Sequence, residues 1–224
     1  MIYDEPKFKT MGDRALLVEV GDEIAAGVNE GVRVLLYGLL GRSIHGVLDL
    51  VPGYRSLMVV FDPLLLDRKE LRSTIADFWD RKDQMALPEN REYEIPVVYG
   101  GERGPDLDWV AGYHRLPVEA VVEMHSTVCY RVYMIGFTPG YPYMGELPAE
   151  LITPRRDTPR TRVPGGSVGI AQRQTGIYPV ASPGGWQIIG WTPVKLFDAE
   201  ADPPSRLQMG DRVRFKPVAA AELS

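Results

Sequence analysis

Arg155, Arg156, Arg160, Arg162 and Arg173 stand against a single acid, Asp157, in a chain whose net charge is −5. Guanidinium forks bind carboxylate or phosphate through paired hydrogen bonds, so this cluster marks a candidate anion site. The competing expectation is a solvated face, or ion pairs to the acidic first part of the chain. Gln174, Thr175, Tyr178 and Ser182 offer neutral polar groups nearby, and Trp186 a stacking wall, as a site for a small polar ligand requires. Tyr178 and Trp186 would serve equally well as core. His125 is the histidine nearest these loops. It closes an apolar helix face, where it either complements the helix dipole or, if that end points into the site, moves a proton.

Familiar catalytic motifs are missing. The chain has no Walker-A sequence, dinucleotide fingerprint, His-Glu-x-x-His or paired-cysteine metal site. Gly165-Gly166-Ser167-Val168-Gly169 satisfies Gly-x-Ser-x-Gly. A nucleophile elbow, however, needs a helix after the serine and a histidine later in the chain. His45, His114 and His125 all precede Ser167, and the sequence from Ile170 onward has β character, so the elbow is rejected.

The candidate residues lie in a stretch, 136–193, that holds ten glycines and nine prolines. Phe137, Tyr141, Tyr143, Ile177, Tyr178 and Trp186 are threaded through it, which sets it apart from disordered Pro/Gly sequence. Glycine permits positive φ and close approach, and proline fixes φ, so the pattern predicts rigid loops around a ligand.

The elements that must position these loops fall into two domains, 1–90 and 91–224, separated by a polar stretch from Arg81 to Arg91. In the first, Ala15–Val20, Val47–Val51 and Ser56–Phe61 read as strands. A helix carries Ile24, Val28, Leu35 and Leu39, and a second, capped at Asp67 with Glu70, carries Leu71, Ile75 and Phe78. Tyr93–Val98 supplies a further strand, and the order β-α-β-β-α-β suggests a split βαβ, ferredoxin-like sandwich. The second domain opens with a helical patch from Asp106 to Met124, followed by Val128–Ile135 and many short strands with Gly/Pro corners, the pattern of a barrel or sandwich. Overall the fold class is α+β.

Composition narrows the function classes. With 45% hydrophobic and 25% charged residues, the chain reads as an ordinary globular protein. Its acidity argues against a nucleic-acid partner. One cysteine excludes an internal disulfide and favours a reducing compartment. The N-terminus does not read as a signal peptide, and no apolar run approaches the roughly 18 residues of a membrane span. A cytoplasmic protein is expected.

The blocks Gly136-Phe137-Thr138-Pro139-Gly140-Tyr141-Pro142-Tyr143-Met144, Pro154-Arg155-Arg156, Pro159-Arg160, Val163 to Ala171, Gln174 to Pro179, Ser182 to Trp186 and Ile188-Ile189-Gly190 resemble the signature of the 5-oxoprolinase B-subunit family. This family was long labelled allophanate hydrolase subunit 1 and includes an inhibitor of a sporulation histidine kinase. Asp13 to Leu17 and Pro52 to Leu57 fit its first domain. The resemblance implies a ferredoxin-like domain followed by a cyclophilin-like β-barrel. It implies a complex with a homologous, C-like barrel subunit and with an A-like subunit that holds the metal site, coupling ATP hydrolysis (with Mg) to opening of 5-oxoproline to glutamate. His125 and Tyr178 become candidate proton carriers, and Arg155, Gln174, Thr175, Ser182 and Trp186 candidate substrate ligands. The alternatives are a kinase-inhibiting module and the carboxyltransferase half of a urea- or allophanate-type enzyme. Where the family commonly has Arg or Lys after Ile-Ile-Gly, Trp191 stands here, and Arg173 is positioned to return a charge nearby.

Overall fold

Strand β1 (Ile2–Met11) pairs antiparallel with β2 (Ala15–Gly21), whose Leu16, Val18 and Val20 alternate into the core. Helix α1 (Ala26–Arg42) follows, then the hairpin of β3 (Val47–Pro52) and β4 (Ser56–Phe61), then helix α2 (Arg68–Asp80). Asp67 caps α2 as expected, accepting from Lys69 N at 2.7 Å and Glu70 N at 3.4 Å. Glycine in α1 weakens the helix but admits α2: a Cβ on Gly31 would stand 2.9 Å from the Trp79 ring.

The computed structural model describes residues 1–223, and its chain divides into two compact units, Met1–Glu89 and Asn90–Ser224. The first unit is a four-stranded antiparallel sheet of order β1-β2-β4-β3 with both helices. The expected strand at Tyr93–Val98 forms but does not belong to this sheet. It is β5 (Glu92–Tyr99) of the second unit. The outer place beside β2 is filled by β1, whose mostly exposed, charge-rich sequence carries little of the apolar alternation that reveals a strand.

In the second unit the anticipated helical patch is two helices, α3 (Leu107–His114) and α4 (Val118–Thr127). Arg115 at φ 58° and Pro117 interrupt it, because proline denies the preceding residue the helical region. Next come β6 (Tyr130–Ile135), β7 (Pro142–Gly145), β8 (Arg160–Val163), β9 (Ser167–Ala171), β10 (Gln174–Ile177), β11 (Ser182–Gly184), β12 (Gln187–Trp191) and β13 (Arg212–Pro217). Seven strands close a barrel in the order β10-β7-β6-β13-β5-β12-β9, and β8 with β11 forms a separate ribbon. The β13–β5 pair is parallel, and the other barrel pairings are antiparallel. Ile95, Val97, Val121, Val132, Val168, Ile170, Ile177 and Phe215 fill the interior. Ser167 opens a β-strand, so the Gly-x-Ser-x-Gly match has no elbow context. Among the described residues no helix is long and apolar enough to cross a membrane.

Candidate functional site

The proline- and glycine-dense loops deliver a cluster of aromatic rings. Tyr141, buried by the turn into β7, sits edge-on to Tyr178 (centroids 5.1 Å, 85°) and to Trp186 (5.8 Å, 84°). Tyr143 completes the wall at 4.9 Å from Tyr141 and 5.9 Å from Trp186. Backbone economy makes this packing possible, since a Cβ on Gly184 would fall 2.8 Å from Tyr178 Cζ. The rings enclose a cleft of about 260 Å³, open toward exposed Phe137 and rimmed by Arg155.

Electrostatics in the cleft favour an anion beside neutral phenols. Burial raises the Tyr178 hydroxyl above the ordinary tyrosine range, and a backbone hydrogen bond from Trp186 opposes this in part. Burial likewise raises Tyr143, against the pull of the nearby Arg155 charge. Both phenols therefore keep their protons at neutral pH and can donate them in hydrogen bonds. Arg155 is exposed and makes no ion pair among the described residues.

The other arginines are largely committed. Arg156 and Arg160 converge on one oxygen of buried Asp106, at 3.0 and 2.7 Å, while its second oxygen accepts the Ile188 amide at 2.6 Å. Arg173 is tied to Glu146 at 2.6 Å. Their partners are thus in the second unit, and not in the acidic first part as the competing expectation had it. Arg173 therefore does not replace the cation that Trp191 displaces. Arg103 lies 4.1 Å over the Trp191 ring, and both line a small cavity of about 80 Å³ with Ser167.

Of the residues expected from sequence, Arg155, Tyr178 and Trp186 share the cleft. Ser182 lies one residue before its Pro183 wall. The Ser182 Oγ is buried and has no hydrogen-bond partner among the described residues. His125 and Thr175 are together elsewhere, inside the barrel. The Tyr99 hydroxyl lies 2.7 Å from His125 Nδ1, His125 Nε2 lies 2.9 Å from Thr175 Oγ1, and that hydroxyl donates to Gly169 O at 3.2 Å. The imidazole also stacks on Phe215 at 4.6 Å, and desolvation lowers its pKa to about 3. A neutral ring with both nitrogens engaged does not reach the cleft. Gln174 sits beside Thr175 on β10, paired with Gly145 and Ala171, and does not line the cleft.

Tyr141, Tyr143 and Phe137 stand out in the sequence as aromatics threaded through the rigid loops, but nothing there names them as ligands of the site. Asp106 carries no signal, being 50 residues from Arg156 in sequence. Among the described residues, no group of three His, Cys, Asp or Glu side chains comes together as a metal site.

The family follows from sequence comparison. The profile of the carboxyltransferase domain, subdomain C and D, matches residues 6–207. The B subunit of 5-oxoprolinase from Haemophilus influenzae is 48% identical over 174 residues, covering 78% of this chain and 81% of that protein. The chain belongs to the 5-oxoprolinase B-subunit family. A second such B subunit, from Escherichia coli O157:H7, is 42% identical over 92% of this chain and 94% of its own length. Among solved structures, that of TTHA0988 superposes with a TM-score of 0.82 at 38% identity and covers 92% of this chain. The chain spans 40% of that longer polypeptide.

Proposed function

We propose that the chain is the B subunit of an ATP-dependent 5-oxoprolinase, which opens 5-oxo-L-proline to L-glutamate. It would act in the cytoplasm with a homologous C-like barrel subunit and an A-like subunit. The observation that carries this reading is an unpaired arginine at the rim of an aromatic cleft, in a chain of this family. 5-Oxoproline is a five-membered lactam bearing one carboxylate. Arg155 suits the carboxylate through a charge-assisted pair, and Tyr143 and Trp186 suit the ring faces. The protonated Tyr178 hydroxyl would donate to the lactam oxygen, where negative charge gathers as the amide is activated.

A lactam is a stabilised amide, and ATP, when bound, supplies the phosphoryl group that makes its oxygen a leaving group. His125 is assigned a positioning role, fastening α4 to β5 and β10 through Tyr99 and Thr175, while proton movement falls to Tyr178 and water. Ser182, with an unpaired buried hydroxyl beside the cleft, is the remaining candidate ligand. We further read the barrel as cyclophilin-like. The first unit is then a ferredoxin-like sandwich in which β1 takes the place of the usual last strand, a reading that its order β1-β2-β4-β3 supports.

The test is reconstitution with C-like and A-like partners, measuring ATP hydrolysis with and without 5-oxoproline. Hydrolysis that does not depend on 5-oxoproline removes the substrate from this reading. The match to a carboxyltransferase domain favours one second reading, half of a carboxyltransferase, which requires activity to depend on a biotin carrier.

A further inference from the structure

Trp109 and Tyr113 stand one turn apart on α3, 48% and 54% exposed, with rings stacked at 5.3 Å and 19°. Two exposed, stacked rings form a flat platform of the kind on which a planar ligand stacks. The pair is held rigidly from behind. His114 packs edge-on against Tyr113 at 4.9 Å and 88°, its Nε2 lies 2.9 Å from Thr153 Oγ1, and that buried hydroxyl donates to Leu151 O. The two rings line a second cleft of about 490 Å³, within the range of small-molecule sites, and Arg155 belongs to this lining as well as to the aromatic cleft.

We propose that this second cleft holds the nucleotide, with adenine against the Trp109–Tyr113 platform and the phosphates directed to Arg155. The assignment rests on the 5-oxoprolinase reading and gives it the phosphate site that no loop motif provides. Sequence-tolerant base binding uses an exposed aromatic face, and phosphate recognition uses an uncommitted guanidinium. Arg155 meets the second requirement here, because Arg156 in the same lining is tied to Asp106. Gln187 donates its amide to Pro154 O at 3.2 Å, which leaves its Oε1 to accept from an exocyclic amine. Asp157, also in the lining, opposes a bare triphosphate and suits one that carries Mg²⁺. Arg155 lines both clefts, so phosphates in the second lie beside the substrate carboxylate that the same guanidinium holds in the first.

The experiment has two readouts on the assembled complex. Photolabelling with 8-azidoadenine nucleotide and Mg²⁺ is expected to modify the segment 107–115 of this chain and to be competed by ATP. In the double variant Trp109→Leu/Tyr113→Leu, the Kd of a non-hydrolysable ATP analogue is expected to weaken by about ten- to a hundredfold, with the KM for 5-oxoproline unchanged. Label found only on other subunits overturns the proposal, and so does analogue binding that the double variant leaves intact. Loss of assembly in the variant would make the platform a subunit contact and overturn it equally. If the wild-type complex labels at 107–115 but shows no 5-oxoproline-dependent hydrolysis, the oxoprolinase reading falls and the nucleotide site stands.

Discussion

His125 Nε2 lies 2.9 Å from Thr175 Oγ1 in a part of the barrel where both residues are fully buried. Their pairing ties the end of α4 to β10, and the Tyr99 hydroxyl at Nδ1 ties it to β5. The histidine is thereby a fastening inside the barrel, between α4 and the strands around it.

Its protonation should therefore register in stability before it registers in rate. Burial lowers the folded-state pKa from 6.5 to about 3, so the unfolded chain binds the extra proton between those values. Stability is fully present above about pH 6.5 and falls as pH drops toward 3, with a slope from this group approaching ~1.4 kcal/mol per pH unit. Urea unfolding at pH 7.5, 6, 5 and 4 should show the decline, and His125→Phe should flatten it while lowering stability at pH 7.5. The imidazole NMR signals of His125 should not titrate between pH 8 and 5.

Asp106 should be more costly to alter than either arginine it holds. Asp106→Asn removes the charge that neutralises two guanidinium groups and weakens the bond from the buried Ile188 amide, a loss of about 2–3 kcal/mol. Arg156→Gln leaves Arg160 in place on the same oxygen and should cost under about 1 kcal/mol, since Arg156 is partly exposed. Chemical denaturation midpoints of the two variants decide the order.

Part of this arrangement was legible in the residues. Phe137 to Tyr143 and Tyr178 to Trp186 announced a rigid aromatic site because proline, glycine and aromatic residues restrict the chain locally, and local restriction is written in local sequence. The Asp67 cap was legible for the same reason. Pairings across the fold were not. Asp106 meets Arg160 over 54 positions, and His125 meets Thr175 over 50. Sequence spacing holds no trace of which charge is spent internally and which faces a ligand. The assignment of β5 to the wrong sheet has the same origin: a strand's alternation reports its faces and not its neighbours.

Arg155→Gln should separate binding from folding. The side chain is exposed and without an ion pair among the described residues, so thermal unfolding should shift by no more than ~0.5 kcal/mol. If the guanidinium holds the substrate carboxylate, losing that charge-assisted bond costs about 1.5–3 kcal/mol, which is roughly a ten- to hundredfold rise in the KM for 5-oxoproline. Steady-state kinetics of the reconstituted complex, run beside calorimetry of the variant, give both numbers. A change in unfolding without a change in KM would move Arg155 out of the binding site.

Tyr178 and Gly184 supply the complementary test, because one change removes a proton donor and the other removes space. Tyr178→Phe keeps the ring that packs against Tyr141 and deletes only the hydroxyl. Stability should change by about 1 kcal/mol or less, while kcat falls by about ten- to a thousandfold if that hydroxyl stabilises the lactam oxygen during activation. Because burial raises the Tyr178 pKa above its usual value, the hydroxyl stays protonated across the neutral range, and the pH–rate profile should show no alkaline limb from it below about pH 10. Gly184→Ala instead drives a methyl group into the Tyr178 ring, and overpacking of this kind costs about 1–3 kcal/mol. That variant should lose stability and substrate binding together. Measuring kcat, KM and the unfolding midpoint for both variants distinguishes a tyrosine that acts on substrate from one that only shapes the cleft: a Phe variant with wild-type kcat leaves Tyr178 as wall alone.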